Sequence, residues 1–245
     1  MAAAVLWSAF ATATLLVGMV LAYRNVVGLK LTGLVMAFGA GAIISAVAYQ
    51  LLLPAIAQGG NALLVGIGFA IGALVYYFAD RWVDSLGGAD RLDMKGAQKS
   101  GSGLGILLGS LLDGVPESLV LGLSIAHTSN VSVAFVFAVA ISNVPQGLGG
   151  TAGMLAAGWP KPRITRLWVA VCVLSVIAAA VGYVIAQVVP QATGASVDAF
   201  AAGALLVMLT DSMIPESFEE GGDETGLALV LGFGTAVAIA LLEAA

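Results

Sequence analysis

Charged residues are scarce in this chain. Asp, Glu, Lys and Arg make up 9% of its 245 residues, while hydrophobic residues make up 60%. A soluble domain carries about 25% charged residues. The composition therefore excludes a water-bathed globular domain and predicts an all-α, polytopic membrane protein in contact with a lipid bilayer. Cysteine and histidine are scarcer still, with Cys172 and His127 the sole examples. A single cysteine excludes an intrachain disulfide, and within Val171-Cys172-Val173-Leu174 it reads as a small packed residue. His127 stands near the end of an apolar segment and reads as a helix-end residue. With no Ser/His pairing and no His-Glu-x-x-His run, no enzyme activity and no prosthetic group are expected. Basic residues are also missing ahead of the first apolar run, Met1-Ala2-Ala3-Ala4-Val5-Leu6, and appear only after it as Arg24 and Lys30. That order is the reverse of a signal peptide, so the first segment is expected to stay as a membrane span. The net charge of −5 falls in loops and says little about partners. No nucleic-acid partner is expected.

What the chain does have is length in apolar runs. A membrane-crossing helix needs about 20 such residues, and runs of that kind fall at 3–23, 31–57, 62–79, 103–126, 131–157, 165–189, 196–218 and 226–242. Eight spans in a single transmembrane domain are expected, with a linker at 80–100. Arg24 and Lys30 lie between the first and second spans. Arg81, Arg91, Lys95 and Lys99 lie between the third and fourth, and Lys161, Arg163 and Arg166 lie between or flank the fifth and sixth. The intervening loops hold no Lys or Arg. The positive-inside rule makes the basic face cytoplasmic and places both termini outside. The expected location is the plasma (inner) membrane.

The costly residues are concentrated. Asp113 and Glu117, in Leu111-Leu112-Asp113-Gly114-Val115-Pro116-Glu117-Ser118, stand four apart in an apolar segment and so share one face of a helix. One carboxylate at a membrane helix centre costs at least about 2.5 kcal/mol on insertion scales. Two on one face need a common partner: a cation, protons or water. The next span repeats the pattern as Ser142-Asn143-Val144-Pro145-Gln146-Gly147. Pro116 and Pro145 each remove a backbone donor and clash with the carbonyl four residues back, so the carbonyls of Leu112 and Ile141 are expected to turn toward a cavity. Asp211, just before Ser212-Met213-Ile214-Pro215-Glu216, adds a third intramembrane acid. Asp113, Glu117, Ser142, Asn143, Gln146 and Asp211 form the expected site. Its oxygen-rich chemistry suits a hard divalent cation of modest affinity. A weaker internal likeness joins Ala40-Gly41-Ala42 ahead of Pro54 to Ala202-Gly203-Ala204 ahead of Pro215. Related segments in opposite orientations are the mark of an inverted-repeat transporter.

These motifs resemble the ZIP (Zrt/Irt-like) family of divalent metal transporters, which has eight spans, both termini outside, and a fourth-span His-Asn-x-Pro-Glu-Gly pattern. Asp113-Gly114-Val115-Pro116-Glu117-Ser118 takes that place here, and Ser142-Asn143-Val144-Pro145-Gln146-Gly147 takes the similar fifth-span place. The resemblance implies transport of a zinc-, manganese- or iron-class cation toward the cytoplasm by alternating access. The departures are Asp113 and Gly114 for the His-Asn pair, Gln146 for a glutamate, and Ser212 at a glutamate ligand position with Asp211 beside it. They point to one metal, or an altered substrate, rather than a metal pair. A ZIP-like protein acting without transport, as a sensor or assembly partner, is the second expectation. A proton-coupled carrier of a small organic solute is the third. The abundance of Gly and Ala suits close helix packing and equally a homodimer.

Overall fold

A computed structural model describes residues 1–57, 61–89, 91–92, 103–128, 131–188 and 191–244. Among these residues every regular element is a helix. The chain forms α1 (Ala2–Arg24), α2 (Leu29–Ala46), a π-helical stretch at Val47–Leu52, α3 (Leu53–Ala57), and α4 (Ala62–Val83) with a π-helical end at Asp84–Gly88. It continues through α5 (Gly103–Thr128), α6 (Val133–Ala156), α7 (Lys161–Val188) and α8 (Gln191–Met208). A second π-helical stretch at Leu209–Met213 leads into α9 (Ile214–Gly221), a short 3-10 turn at Gly222–Glu224, and α10 (Thr225–Ala244). Among the described residues seven helical runs are long and apolar enough to cross a membrane, the composition of an integral membrane protein. The last, Gly194–Glu243, has 50 residues and would be about 75 Å long if straight. That is more than twice the roughly 30 Å hydrocarbon core, and Gly222, at φ 73°, breaks it.

The helices lie together in four close pairs: α1 with α6, α5 with α7, α2 with α10, and α4 with α8. Glycine permits the approach. A Cβ on Gly147 of α6 would overlap the Leu15 carbonyl oxygen of α1, and one on Gly18 would overlap the Val144 carbonyl oxygen in return. Backbone against backbone maximises dispersion contact where lipid offers no hydrophobic drive. Inside the bundle Met36, Ile43, Leu121, Phe135, Leu205 and Met208 form the main apolar core. Leu63, Ile67, Leu74 and Phe78 of α4 and Val173, Ile177 and Val181 of α7 stay exposed, as side chains facing lipid do.

The basic connections gather at one end. Tyr23 Oη donates to the Lys161 carbonyl at 2.9 Å, and Lys30 Nζ donates to Glu224 Oε1 at 2.8 Å. At the far end the Glu243 carboxylate accepts from the Val133 and Ala134 backbone N–H groups, satisfying free donors at the start of α6.

Two expectations need correction. The expected linker does not begin at 80. Asp80 lies inside α4 and is buried, because the helix runs on to Val83 and its π-helical end reaches Gly88; residues 90 and 93–100 of that linker lie outside the described residues. Nor do the prolines of the motif helices interrupt them. Both α5 and α6 run on through Pro116 and Pro145. The irregular stretches instead precede Pro54 and Pro215. There the residue before each proline donates to the carbonyl five residues back, Leu53 to Ala48 and Ile214 to Leu209. Widening the turn by one residue moves the i−4 carbonyl away from the proline ring, the steric conflict that a regular helix would have to absorb.

Candidate functional site

The site begins as a stripe on α5. Gly109, Asp113 and Glu117 follow one another at intervals of four, so they share a face, and Asp113 and Glu117 are each 1% exposed. A matching stripe on α4 and its π-helical end, Tyr76, Asp80 and Asp84, has the same spacing. Beyond Asp84 the chain reverses at Gly87, whose φ of 91° suits a residue without a side chain. Arg91 N–H then closes a turn onto the Gly88 carbonyl at 3.2 Å. This reversal sends Arg91 back into the bundle. Gly109 leaves room for it, since a Cβ there would overlap the Arg91 Cδ.

Arg91 is 3% exposed. Its Nε donates to Asp113 Oδ2 at 2.8 Å and its Nη2 donates to Asp113 Oδ1 at 2.9 Å, a two-pronged guanidinium–carboxylate pair. Nη2 also donates to Asp80 Oδ1 at 2.8 Å, and Nη1 lies 3.6 Å from Asp84 Oδ1. Burial works against the charge on Arg91, but Asp113, Tyr76 and Asp80 together hold the guanidinium protonated well above its ordinary range. Tyr76 Oη donates to Asp113 Oδ1 at 2.8 Å, and Ser212 Oγ lies 3.5 Å from the same oxygen. Both Asp113 oxygens are therefore engaged by groups of the protein.

Glu117 is held differently. Its Oε1 has only Ser142 Oγ at 3.5 Å, and that hydroxyl is closer to the Val139 carbonyl, at 2.9 Å. With one proton to give, the hydroxyl serves the carbonyl first. Glu117 Oε2 has no hydrogen-bond partner. A buried carboxyl in that position must hold a proton or meet a cation, because a bare charge there is too costly. Asn143 serves helix packing. Its Nδ2 donates to the Ala11 carbonyl of α1 at 3.0 Å, while its Oδ1 is unpartnered. Gln146 Nε2 rests 3.5 Å from Met213 Sδ.

Arg91 lines a cavity of about 140 Å³ at the end of the bundle carrying the basic connections. Asp80, Asp84, Arg91, Asp211, Ser212 and Glu216 are among the residues that line it. Asp211, expected as an inner ligand, is exposed on this cavity. The widened turn at Leu209–Met213 brings Ser212, its neighbour, toward Asp113 instead. Among the described residues, no three His, Cys, Asp or Glu side chains are grouped to hold a metal ion. The structure thus brings Asp113, Glu117 and Ser142 close together and leaves Asp211 apart. It adds Arg91, Tyr76 and Asp80, none of which was expected. For Tyr76 and Asp80 the signal was present, as a polar i, i+4 pair ending an apolar helix. For Arg91, one basic residue among four in a connection, the sequence carried none. The His127 side chain lies outside the described residues. No protein-family model matches the chain, and no curated protein matches it in sequence.

Proposed function

We propose that this protein is an eight-span, inverted-repeat membrane permease of ZIP-like kind, carrying a divalent cation toward the cytoplasm. The observation that carries the reading is Glu117, a carboxyl 1% exposed with one oxygen unpartnered, one helical turn from Asp113 between the innermost helices. Such an acid is kept at a cost of at least about 2.5 kcal/mol on insertion scales. A cation passing the bundle midplane supplies the partner it lacks. Oxygen donors from Glu117, Ser142 and the unpartnered Asn143 Oδ1 would contact the ion first, and Asp113 would join when Arg91 withdraws. The 140 Å³ acidic cavity forms the inner mouth, with Asp211 and Glu216 collecting or releasing the ion.

The repeat reading is supported by the pairing of helices. Exchanging α1 with α7, α2 with α8, α4 with α10 and α5 with α6 converts the pair α1–α6 into α7–α5, and α2–α10 into α8–α4. These four pairs are the closest in the bundle. Gly41 meets the Leu229 carbonyl of α10 and Gly203 meets the Phe69 carbonyl of α4, as that exchange requires. Each of these glycines stands six residues before a π-helical stretch that leads to a proline. Two halves of opposite orientation, each with an irregular helix beside the site, suit alternating access by rocking of one half against the other. The break at Gly222 within the last 50-residue run supports reading that run as two spans, the seventh and eighth.

The Arg91–Asp113 pair favours a second reading, a ZIP-like membrane protein whose acid site is permanently neutralised and which senses or assembles rather than transports. Uptake into proteoliposomes separates the two. The permease accumulates a divalent cation, with loss in Glu117→Gln, whereas the non-transporting protein accumulates none.

A further inference from the structure

We infer that Arg91 is a tethered cation that occupies the place of the transported ion on Asp113 and is displaced when that ion binds. The inference rests on the transport reading above and adds to it the residue that competes with the substrate. Its geometry is specific. The guanidinium spans both oxygens of Asp113, at 2.8 and 2.9 Å, and reaches Asp80 at 2.8 Å. A cation drawn to a pair of carboxylates would seek the same oxygens. Arg91 also lines the acidic cavity, which Asp113 itself does not. The side chain therefore stands between that cavity and the inner acid.

Three features make the arrangement a movable plug rather than a fixed ion pair. Arg91 reaches the site from a connection, through a reversal at Gly87 and a single turn onto Gly88, and not from a helix interior. Asp84, 3.6 Å from its Nη1 and only partly buried, offers the guanidinium a second carboxylate on the cavity side. Glu117 next along the stripe keeps an oxygen without a partner, so a divalent ion arriving between Glu117 and Asp113 gains a ligand that the monovalent guanidinium does not use. The plug does two things. It keeps Asp113 neutralised while the site is empty, so the protein can change conformation without a bare buried charge. It also competes with the ion for Asp113, which speeds release into the cavity. Removing it should tighten binding and slow release.

The test uses full-length protein, with Mn²⁺ as the probe. Mn²⁺-dependent thermal stabilisation is titrated in purified wild type, Arg91→Gln and Arg91→Lys, and Mn²⁺ uptake is measured in proteoliposomes. The inference predicts that Arg91→Gln is less stable without metal, is restored by Mn²⁺, and reaches half-saturation at a concentration at least tenfold below wild type. Its maximal uptake rate should fall. Arg91→Lys, which keeps the charge but loses the two-pronged contact, should lie between. A midpoint in Arg91→Gln equal to wild type, or an Arg91→Gln protein that fails to fold even in saturating Mn²⁺, overturns the assignment. Wild type that takes up no divalent cation overturns the transport reading itself. Wild-type uptake with an unshifted midpoint in folded Arg91→Gln overturns only the role of Arg91.

Discussion

At the scale of single residues, the site is governed by which carboxylate has a partner. Asp113 has Arg91 and Tyr76; Glu117 has almost nothing. Removing one member of a buried ion pair typically costs about 3–5 kcal/mol, because the other charge is left behind. Arg91→Met should therefore destabilise the metal-free protein by roughly that amount, and adding Asp113→Asn should recover part of the loss. Denaturation of both single variants and the double measures the coupling, and strict additivity would deny it. Ser142→Ala removes the one donor near Glu117 and should weaken cation binding by about tenfold, toward the low end of the effect of losing a supporting partner. Unchanged binding in a titration would place Ser142 outside the site. The acids on α5 were legible in the sequence because a carboxylate amid leucine and valine has no innocent explanation in a bilayer. Arg91 was not legible. One basic residue among four in a glycine-rich connection has the pattern of a solvated loop, and only the reversal at Gly87 and the gap at Gly109 turn it inward.

At the scale of helices, close approach through glycine and the placement of irregular turns decide the geometry. Gly147 meets the α1 backbone, not a yielding side chain, so Gly147→Leu must push the α1–α6 pair apart. Overpacking of this kind costs about 1–3 kcal/mol or more, and a lowered melting temperature of purified protein should report it. An unchanged melting point would contradict the contact. Gly109→Ala is a milder change that presses on the flexible Arg91 side chain, and should shift the Mn²⁺ midpoint in the same direction as Arg91→Gln, to a smaller extent. The helices themselves were readable from hydrophobic length alone: α1 at Ala2–Arg24 and α6 at Val133–Ala156 fall within two residues of the runs that predicted them. The site of irregularity was not. Proline marks a candidate break wherever it stands, but neighbouring helices settle whether the chain kinks or inserts a residue. Here Pro116 and Pro145 lie within unbroken helices, and the wide turns precede Pro54 and Pro215. That difference carried Asp211 to the surface and put Ser212 near Asp113.

At the scale of the whole molecule, the distribution of charge and the proposed direction of transport are linked. The basic connections lie at one end, and the proposal takes that end as cytoplasmic, as the positive-inside rule expects. In a Cys172→Ala background, Val26→Cys and Lys161→Cys should react with an impermeant thiol reagent only from the cytoplasmic side, and Asn61→Cys only from outside. Labelling of Asn61→Cys from within would reverse the topology and the direction of transport with it. The central claim is that a divalent cation crosses the bundle on Glu117 and Asp113, and the most direct measurement is uptake of Zn, Mn, Fe, Co, Cd and Mg ions into proteoliposomes holding wild type, Glu117→Gln or Asp113→Asn. The account predicts saturable uptake of at least one of these ions by the wild type and its loss in both variants. No uptake of any ion by folded wild type, or uptake that survives both substitutions, would contradict it.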